Sequence, residues 1–349
     1  MLVNAKYMLD AAVAGHYGIP AFNTNDLEWT RSILLAAEEL QSPVIIQCTA
    51  GAAKWQMGFK VVADVVKDLV DYMNITVPVA MHLDHGTYED CFKAIDAGFT
   101  SIMYDGSHEP TFDINMERTA EIVKLCHGKG ISVEAEVGGI GGVEDGVASA
   151  GELADPNECK AIADLGVDFL ACGIGNIHGL YPDDWEGLSM DRLAEIKALT
   201  GDLPLVLHGG TGIPTAMVQE AIHNGIAKIN VNTDLQVAMA KATWAFVDSG
   251  EAKKGKNYDP RKLLKPGFDA IVDRAKELIV DFGSDGKGWA SALVAHRCEL
   301  GPRSDPGPFL SSEPKSTPGL PLAGSIPQDS LPGGRVATSP RECEKQPLD

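Results

Sequence analysis

Three histidines, at positions 85, 178 and 208, together with an acidic residue at 136, make a donor set suited to a divalent metal. Three imidazoles and one open position is the arrangement of catalytic zinc, which takes nitrogen donors tetrahedrally and keeps a place for water or substrate. Their separations in the chain carry little meaning. Their shared location carries more, because each closes or follows a short apolar run. Asp84 and His85 end the third run, Asp105 the fourth and Glu136 the fifth; His178 follows the sixth and His208 ends the seventh. Asn23, Gln47 with Thr49, and Asn230 with Thr233 hold the same place in the first, second and eighth. Ionisable groups converging from several elements are costly to bury, so such a set points to a site.

The runs that must position these groups are Ile19–Asn23, Val44–Thr49, Val77–Asp84, Ser101–Asp105, Ile131–Val137, Phe169–Gly175, Leu203–His208 and Ile226–Thr233. Their starts fall about 30 residues apart, the length of one βα unit. They are rich in Val and Ile, as parallel strands covered by helices are. Helical patterns lie between them, such as Asp26 to Leu40 with Asp26 placed to cap, and Pro214 near another helix start. The pattern predicts an α/β fold, a (β/α)8 TIM barrel, with a further helix over 267–281. An open doubly wound sheet is the alternative, but no Gly-x-Gly-x-x-Gly follows the first run. Alternation along a strand puts Ala80, His82 and Asp84 on one face, with Glu134 and Glu136, and Lys228, Asn230 and Asn232. These sets are expected to point inward, with the polar strand ends at the face where barrels build active sites.

Two glycine-containing turns follow metal candidates: Gly179 after His178, and Gly209-Gly-Thr-Gly-Ile-Pro214 after His208. The second opens a helix, so its backbone N–H groups and dipole suit a phosphate, and Asn232-Thr233-Asp234 can complete the cradle. Gly138, Gly139, Gly141, Gly142 and Gly146 after the fifth run suggest a mobile lid. Ten of the 20 prolines lie in 291–349, with Phe309 as that segment's one aromatic residue. Such a stretch cannot offset its ordering entropy, so the reading is a barrel over 1–290 and a Pro-rich disordered tail over 291–349. With 29 basic and 49 acidic residues the net charge is −20, which argues against nucleic acid or an anionic membrane as partner. No apolar run reaches 18 residues, and the seven cysteines form no Cys-x-x-Cys pair, so a cytoplasmic protein with free thiols is expected.

Taken together, His82-Leu-Asp-His85-Gly, Asp105-Gly-Ser-His108, the stretch from Val133 to Gly146, Gly175-Asn-Ile-His-Gly-Leu-Tyr181, Leu207-His-Gly-Gly-Thr-Gly-Ile-Pro214 and Lys228-Ile-Asn-Val-Asn-Thr-Asp234 resemble the class II, metal-dependent fructose-bisphosphate aldolases. By that resemblance His85, His178 and His208 bind zinc, and Asp105 and Glu136 approach the metal or hold it in an alternate place. Asp84 handles the proton of the C4 hydroxyl, Glu144 in the lid is the acid/base for the enediolate carbon, and Asn230 stands beside the enediolate. Gly179, Gly209, Thr211 and Thr233 match the phosphate site, with Gly210, Asn232, Asn23 and Thr49 nearby and Arg261 as a second phosphate contact. A monovalent cation near the phosphate and a homo-oligomer, dimer or tetramer, are also implied. Cleavage of the C3–C4 bond leaves a carbanion, whose charge a Lewis-acid zinc can stabilise. Three alternatives stand beside this reading: a tagatose-bisphosphate aldolase on the same scaffold, a Schiff-base aldolase using Lys228, and a barrel that only binds phosphosugars. Lys228 sits early in its run and is expected to pair with a core carboxylate such as Glu134.

Overall fold

The apolar runs become parallel strands: β1 (Ile19–Asn23), β2 (Val44–Cys48), β3 (Val79–Gly86), β4 (Ser101–Tyr104), β5 (Ser132–Val137), β6 (Phe169–Cys172), β7 (Leu205–Leu207) and β8 (Ile226–Val231). This computed structural model describes residues 2–288 without 145, 146 and 150, and no side chain from 143 to 150. Among the described residues the strands close in chain order, β8 pairing back onto β1 from Ile19↔Lys228 to Phe22↔Val231. The expected barrel is therefore present. The Pro-rich segment 291–349 lies outside the described residues. No helix among those described is long and apolar enough to cross a membrane, and Cys91, Cys126, Cys159 and Cys172 are buried free thiols.

Local sequence sets the helix boundaries. The Asp26 carboxylate accepts from the Trp29 amide at 2.8 Å and starts Leu27–Glu39, satisfying one of the donors a helix N-terminus leaves open. The C-terminal helix runs Lys265–Asp281, two residues earlier in its start than expected, and packs against Leu27–Glu39 and Thr233–Asp248. Several strands are shorter than their apolar runs. Thr49 leaves β2 to cap Ala50–Trp55, its Oγ1 accepting from Ala52 N at 3.1 Å. Thr233 likewise begins a helix instead of ending β8.

The two faces separate as alternation requires. Val79, Met81 and Leu83 of β3, Val133 and Ala135 of β5, and Ile229 and Val231 of β8 join the core beneath the helices. His82, Asp84, Glu134, Glu136, Lys228 and Asn230 are buried inside the barrel. The barrel floor is apolar. Helix α1 (Ala5–Gly15), capped by Asn4, presents Ala5, Met8, Leu9 and Ala12 to Ile19, Ala21, Ile45, Ala80, Met103 and Phe169. Burying Met8 and Leu9 stabilises this plug by about 1.5–3 kcal/mol each.

Above the floor the interior turns polar. Lys228 Nζ lies 2.7 Å from Glu134 Oε2, and neither side chain is exposed. Neither charge is tolerable there alone. Lys228→Met should lower the unfolding free energy by about 3–5 kcal/mol in urea denaturation followed by far-UV circular dichroism. Glu134→Leu combined with Lys228→Met should recover most of that loss, because no uncompensated charge remains.

Candidate active site

Successive residues of a strand face opposite sides, so Asp84 and His85 would not share a site on a regular β3. The β3–β4 pairing shifts register between Leu83 and Gly86, and His85 adopts φ 46°, in the left-handed region. The irregularity turns His85 to the same end of the barrel as Asp84. A non-glycine residue in this conformation is strained and needs its surroundings to hold it. Asp105 at the end of β4 does so, its Oδ2 3.0 Å from His85 Nδ1, while Ser107 N and Oγ bond Asp105 Oδ1.

The three predicted histidines come together. His85 Nε2 is 2.8 Å from His208 Nδ1, and one ring nitrogen each of His85, His178 and His208 lies within 4.8 Å of the others. Asp105 and Glu136 form a second donor group with His85. Glu136 Oε2 is buried with no hydrogen-bond partner and lies 3.8 Å from His85 Nδ1. Converging imidazoles beside an unpartnered carboxylate oxygen fit a divalent cation, and the nitrogen-rich set suits zinc among the common ions.

Burial and neighbouring charge tune these groups. Burial lowers the His85 ring, but Asp84, Asp105 and Glu136 outweigh it and lift the ring to about 10. His178 and His208 go the other way, to about 3 and about 4, through burial and the positive His85. Burial together with Asp105 pushes Glu136 well up. Burial would raise Asp84 too, yet His85, His208 and Lys228 hold it below the usual carboxylate range.

Asp84 is held by three side-chain amides. Asn23 Nδ2 and Gln47 Nε2 donate to its Oδ2 at 2.9 and 3.0 Å, and Asn230 Nδ2 donates to Oδ1 at 3.0 Å. These residues share a small polar cavity with His178, Gly179, Gly209, Thr211, Asn232 and Thr233. Gly209 has φ 65°, and a Cβ there would fall 2.1 Å from the Ile177 carbonyl oxygen, so only glycine lets this turn approach the His178 segment. Thr211 Oγ1 accepts from Asp234 N at 3.2 Å, tying the turn to the first turn of Thr233–Asp248. The cavity brings Asp84, one ring of the histidine cluster and a helix N-terminus together.

Three expected residues do not line that cavity, and the side chain of a fourth is not described. Thr49 is spent on its helix cap, and the Gly210 amide is committed to the Asn230 carbonyl at 2.8 Å. Arg261 is exposed and bonds Asp259, with Nη2 to Oδ2 at 2.6 Å, because a carboxylate two residues away captures the guanidinium. Glu144 ends the short lid strand Gly141–Glu144, which pairs with Val147–Ser149 and with Ile177–His178; its side chain lies outside the described residues.

Other residues matter more than the sequence suggested. Gln47 was visible only as one more polar strand end, yet it bonds both Asn23 Oδ1 and Asp84. Asn176 Nδ2 donates to the His208 carbonyl at 3.0 Å. Tyr181 Oη accepts from Ile177 N and donates to the Gly209 carbonyl at 2.8 Å, joining the His178 segment to the glycine turn. Both lie in the Gly175–Tyr181 motif, where their recurrence with His178 was the available signal.

The sequence profile of the family described as fructose-bisphosphate aldolase class-II matches residues 3–287. The fructose-bisphosphate aldolase of Streptococcus pyogenes serotype M3 is 51% identical over 291 residues, covering 82% of this chain and 99% of that protein. That of Mycoplasma pneumoniae is 51% identical over 292 residues, covering 82% and 100%. Among solved structures, the YdjI aldolase from Escherichia coli K12 superposes with a TM-score of 0.71 at 33% identity, over 82% of this chain and all of that one.

Proposed function

The chain belongs to the class II fructose-bisphosphate aldolase family, and from that premise we propose that it reversibly cleaves fructose 1,6-bisphosphate to dihydroxyacetone phosphate and glyceraldehyde 3-phosphate. The observation that carries this reading is the convergence of three histidine nitrogens beside an amide-held Asp84 and a glycine-lined helix N-terminus. His85, His178 and His208 would hold zinc, which when bound supplies Lewis-acid polarisation of the ketose oxygens. Asp105 and Glu136 would offer it an alternate position.

The chain's own residues supply the remaining steps. Asp84, ionised and aimed into the cavity, takes the proton of the C4 hydroxyl. The O–H electron pair becomes the C4 carbonyl as the C3–C4 bond breaks, and its pair stays with C3. Asn23, Gln47 and Asn230 hold the carboxylate in place, so no side-chain search precedes the transfer. Glu144, by its place in the lid motif, is assigned the return of a proton to C3. Gly179, Gly209, Thr211, Asn232 and Thr233 bind a phosphate by backbone amides, hydroxyls and the dipole of the 16-residue helix Thr233–Asp248. A monovalent cation near that phosphate, homo-oligomeric assembly and a cytoplasmic setting follow from the family resemblance. Lys228 is fully buried and bonded to Glu134, which leaves no free amine for a Schiff base.

A purified assay should show cleavage of fructose 1,6-bisphosphate well above tagatose 1,6-bisphosphate, lost on dialysis against a chelator and restored by zinc. Full activity without metal would sink the reading, and a tagatose preference would reassign the substrate. Asp84→Ala should keep its metal, by elemental analysis, while kcat falls by about 10²–10⁴-fold; near-normal kcat would remove Asp84 from its role. We also read residues 291–349 as lying outside the catalytic unit. Deleting them should leave kcat/KM unchanged, and a large loss would show that they belong to it.

A further inference from the structure

Beneath the three histidines runs a column of buried polar contacts that the cleavage steps do not use. At its lower end the Ala5 amide donates to Ser132 Oγ at 3.2 Å, and Ser132 Oγ donates to Ser101 Oγ at 2.9 Å. Ser101 Oγ in turn lies 2.7 Å from His82 Nδ1. The Ala5 N–H can only donate, so Ser132 Oγ accepts there and keeps its own hydrogen for Ser101 Oγ or, at 3.5 Å, the Thr100 carbonyl. His82 Nε2 stands 3.1 Å from Glu134 Oε2, a charge contact without hydrogen-bond geometry. The same oxygen receives Lys228 Nζ at 2.7 Å, and Glu134 Oε1 lies 2.9 Å from His208 Nε2.

The upper end imposes an order of its own. Asn230 Nδ2 faces the Asp84 carboxylate, an acceptor, so the Asn230 amide orientation is fixed. The same Nδ2 lies 3.1 Å from His208 Nδ1, which must then offer a lone pair. With Nδ1 bare, His208 carries its hydrogen on Nε2 and donates it to Glu134. An ionised Glu134 can only accept, so its contact with His208 Nε2 and the Asn230 contact with Nδ1 favour the same tautomer. Which ring nitrogen is free to bind a cation is decided by the hydrogen bond the other one makes.

We propose that Glu134 is a positioning residue that fixes His208 as an Nδ1 donor toward the cation, with Lys228 as its counter-charge and His82 as its second buried neighbour. The proposal rests on the three-histidine reading given above. Glu134 touches neither substrate nor cation, and its effect passes entirely through the His208 ring. Without the carboxylate, Nε2 has no acceptor, only the Asn230 contact still favours the tautomer, and Nδ1 is a weaker and less well-aimed ligand. Lys228 explains how the carboxylate survives at that depth, because both side chains have no exposure.

The test uses the full chain labelled with [15N]histidine and long-range 1H–15N correlation spectra. Wild-type His208 is expected as the Nε2–H tautomer before zinc is added, and an Nδ1–H tautomer would overturn the proposal without any mutant. Glu134→Leu with Lys228→Met removes the acceptor and its counter-charge together. Zinc affinity, titrated against a competing chelator, should fall by about 10–100-fold, with the Nε2–H population of His208 reduced and circular dichroism unchanged. Glu134→Gln with Lys228→Met keeps an amide oxygen as acceptor and should restore part of the affinity. A folded Leu/Met double variant with wild-type zinc affinity and wild-type His208 tautomer overturns the proposal alone. A wild-type chain that binds no zinc overturns the three-histidine reading and this proposal with it.

Discussion

An ionised group inside a protein persists only where another charge or a set of hydrogen bonds compensates it. That constraint organises the upper half of this barrel. Glu134, Lys228, His82 and His208 occupy the centre with no exposed side-chain surface, and each is acceptable only because the others are present. The apolar plug of α1 closes the floor below them. Above them the same logic governs Asp84, which accepts three amide hydrogens, and Asp105, which is held by His85 and Ser107. The site is thus a stack of mutually compensated polar groups standing on an apolar base.

The stack also answers a difficulty posed by the charge of the chain. At −20 the protein as a whole repels a bisphosphate. The residues proposed to receive one are arranged so that local fields oppose the global one. Gly179, Gly209, Thr211 and Thr233 carry no charge, and the helix beginning at Thr233 presents backbone N–H groups. Arg261, the cation expected to help, is occupied by Asp259. Recognition of the anion is accordingly assigned to dipoles and a bound cation, both of which act at short range where solvent does not screen them.

Much of the fold was legible because its signals are local. Eight Val- and Ile-rich runs at a regular pitch predict a barrel, and alternation correctly separated His82, Glu134 and Lys228 from the residues facing the helices. The polar strand ends likewise gather in the structure, around the histidine cluster and the Asp84 cavity. Legibility failed where a residue's role depends on a partner far along the chain. Gln47 looked like any polar strand end until β3 placed Asp84 beside it, 37 residues away in sequence. Thr49 looked the same, and was drawn instead to the helix that follows it. Helix α1 drew no attention because its amphipathic face has meaning only against a closed barrel floor.

The sequence by itself determined the parts: strand and helix order, the residue types at each strand end, the acidic balance and the motifs that mark the family. These follow from periodicity and composition, which are properties of neighbouring residues. The tertiary structure alone decided how adjacent residues of β3 serve one site. Strict alternation forbids Asp84 and His85 from sharing a face, and the register shift with φ 46° at His85 overrides it. It also decided which nitrogen of His208 faces His85, through Glu134 from another strand. Such choices depend on barrel closure, which brings residues 74 and 123 positions apart into hydrogen-bond distance, and no local pattern encodes that separation.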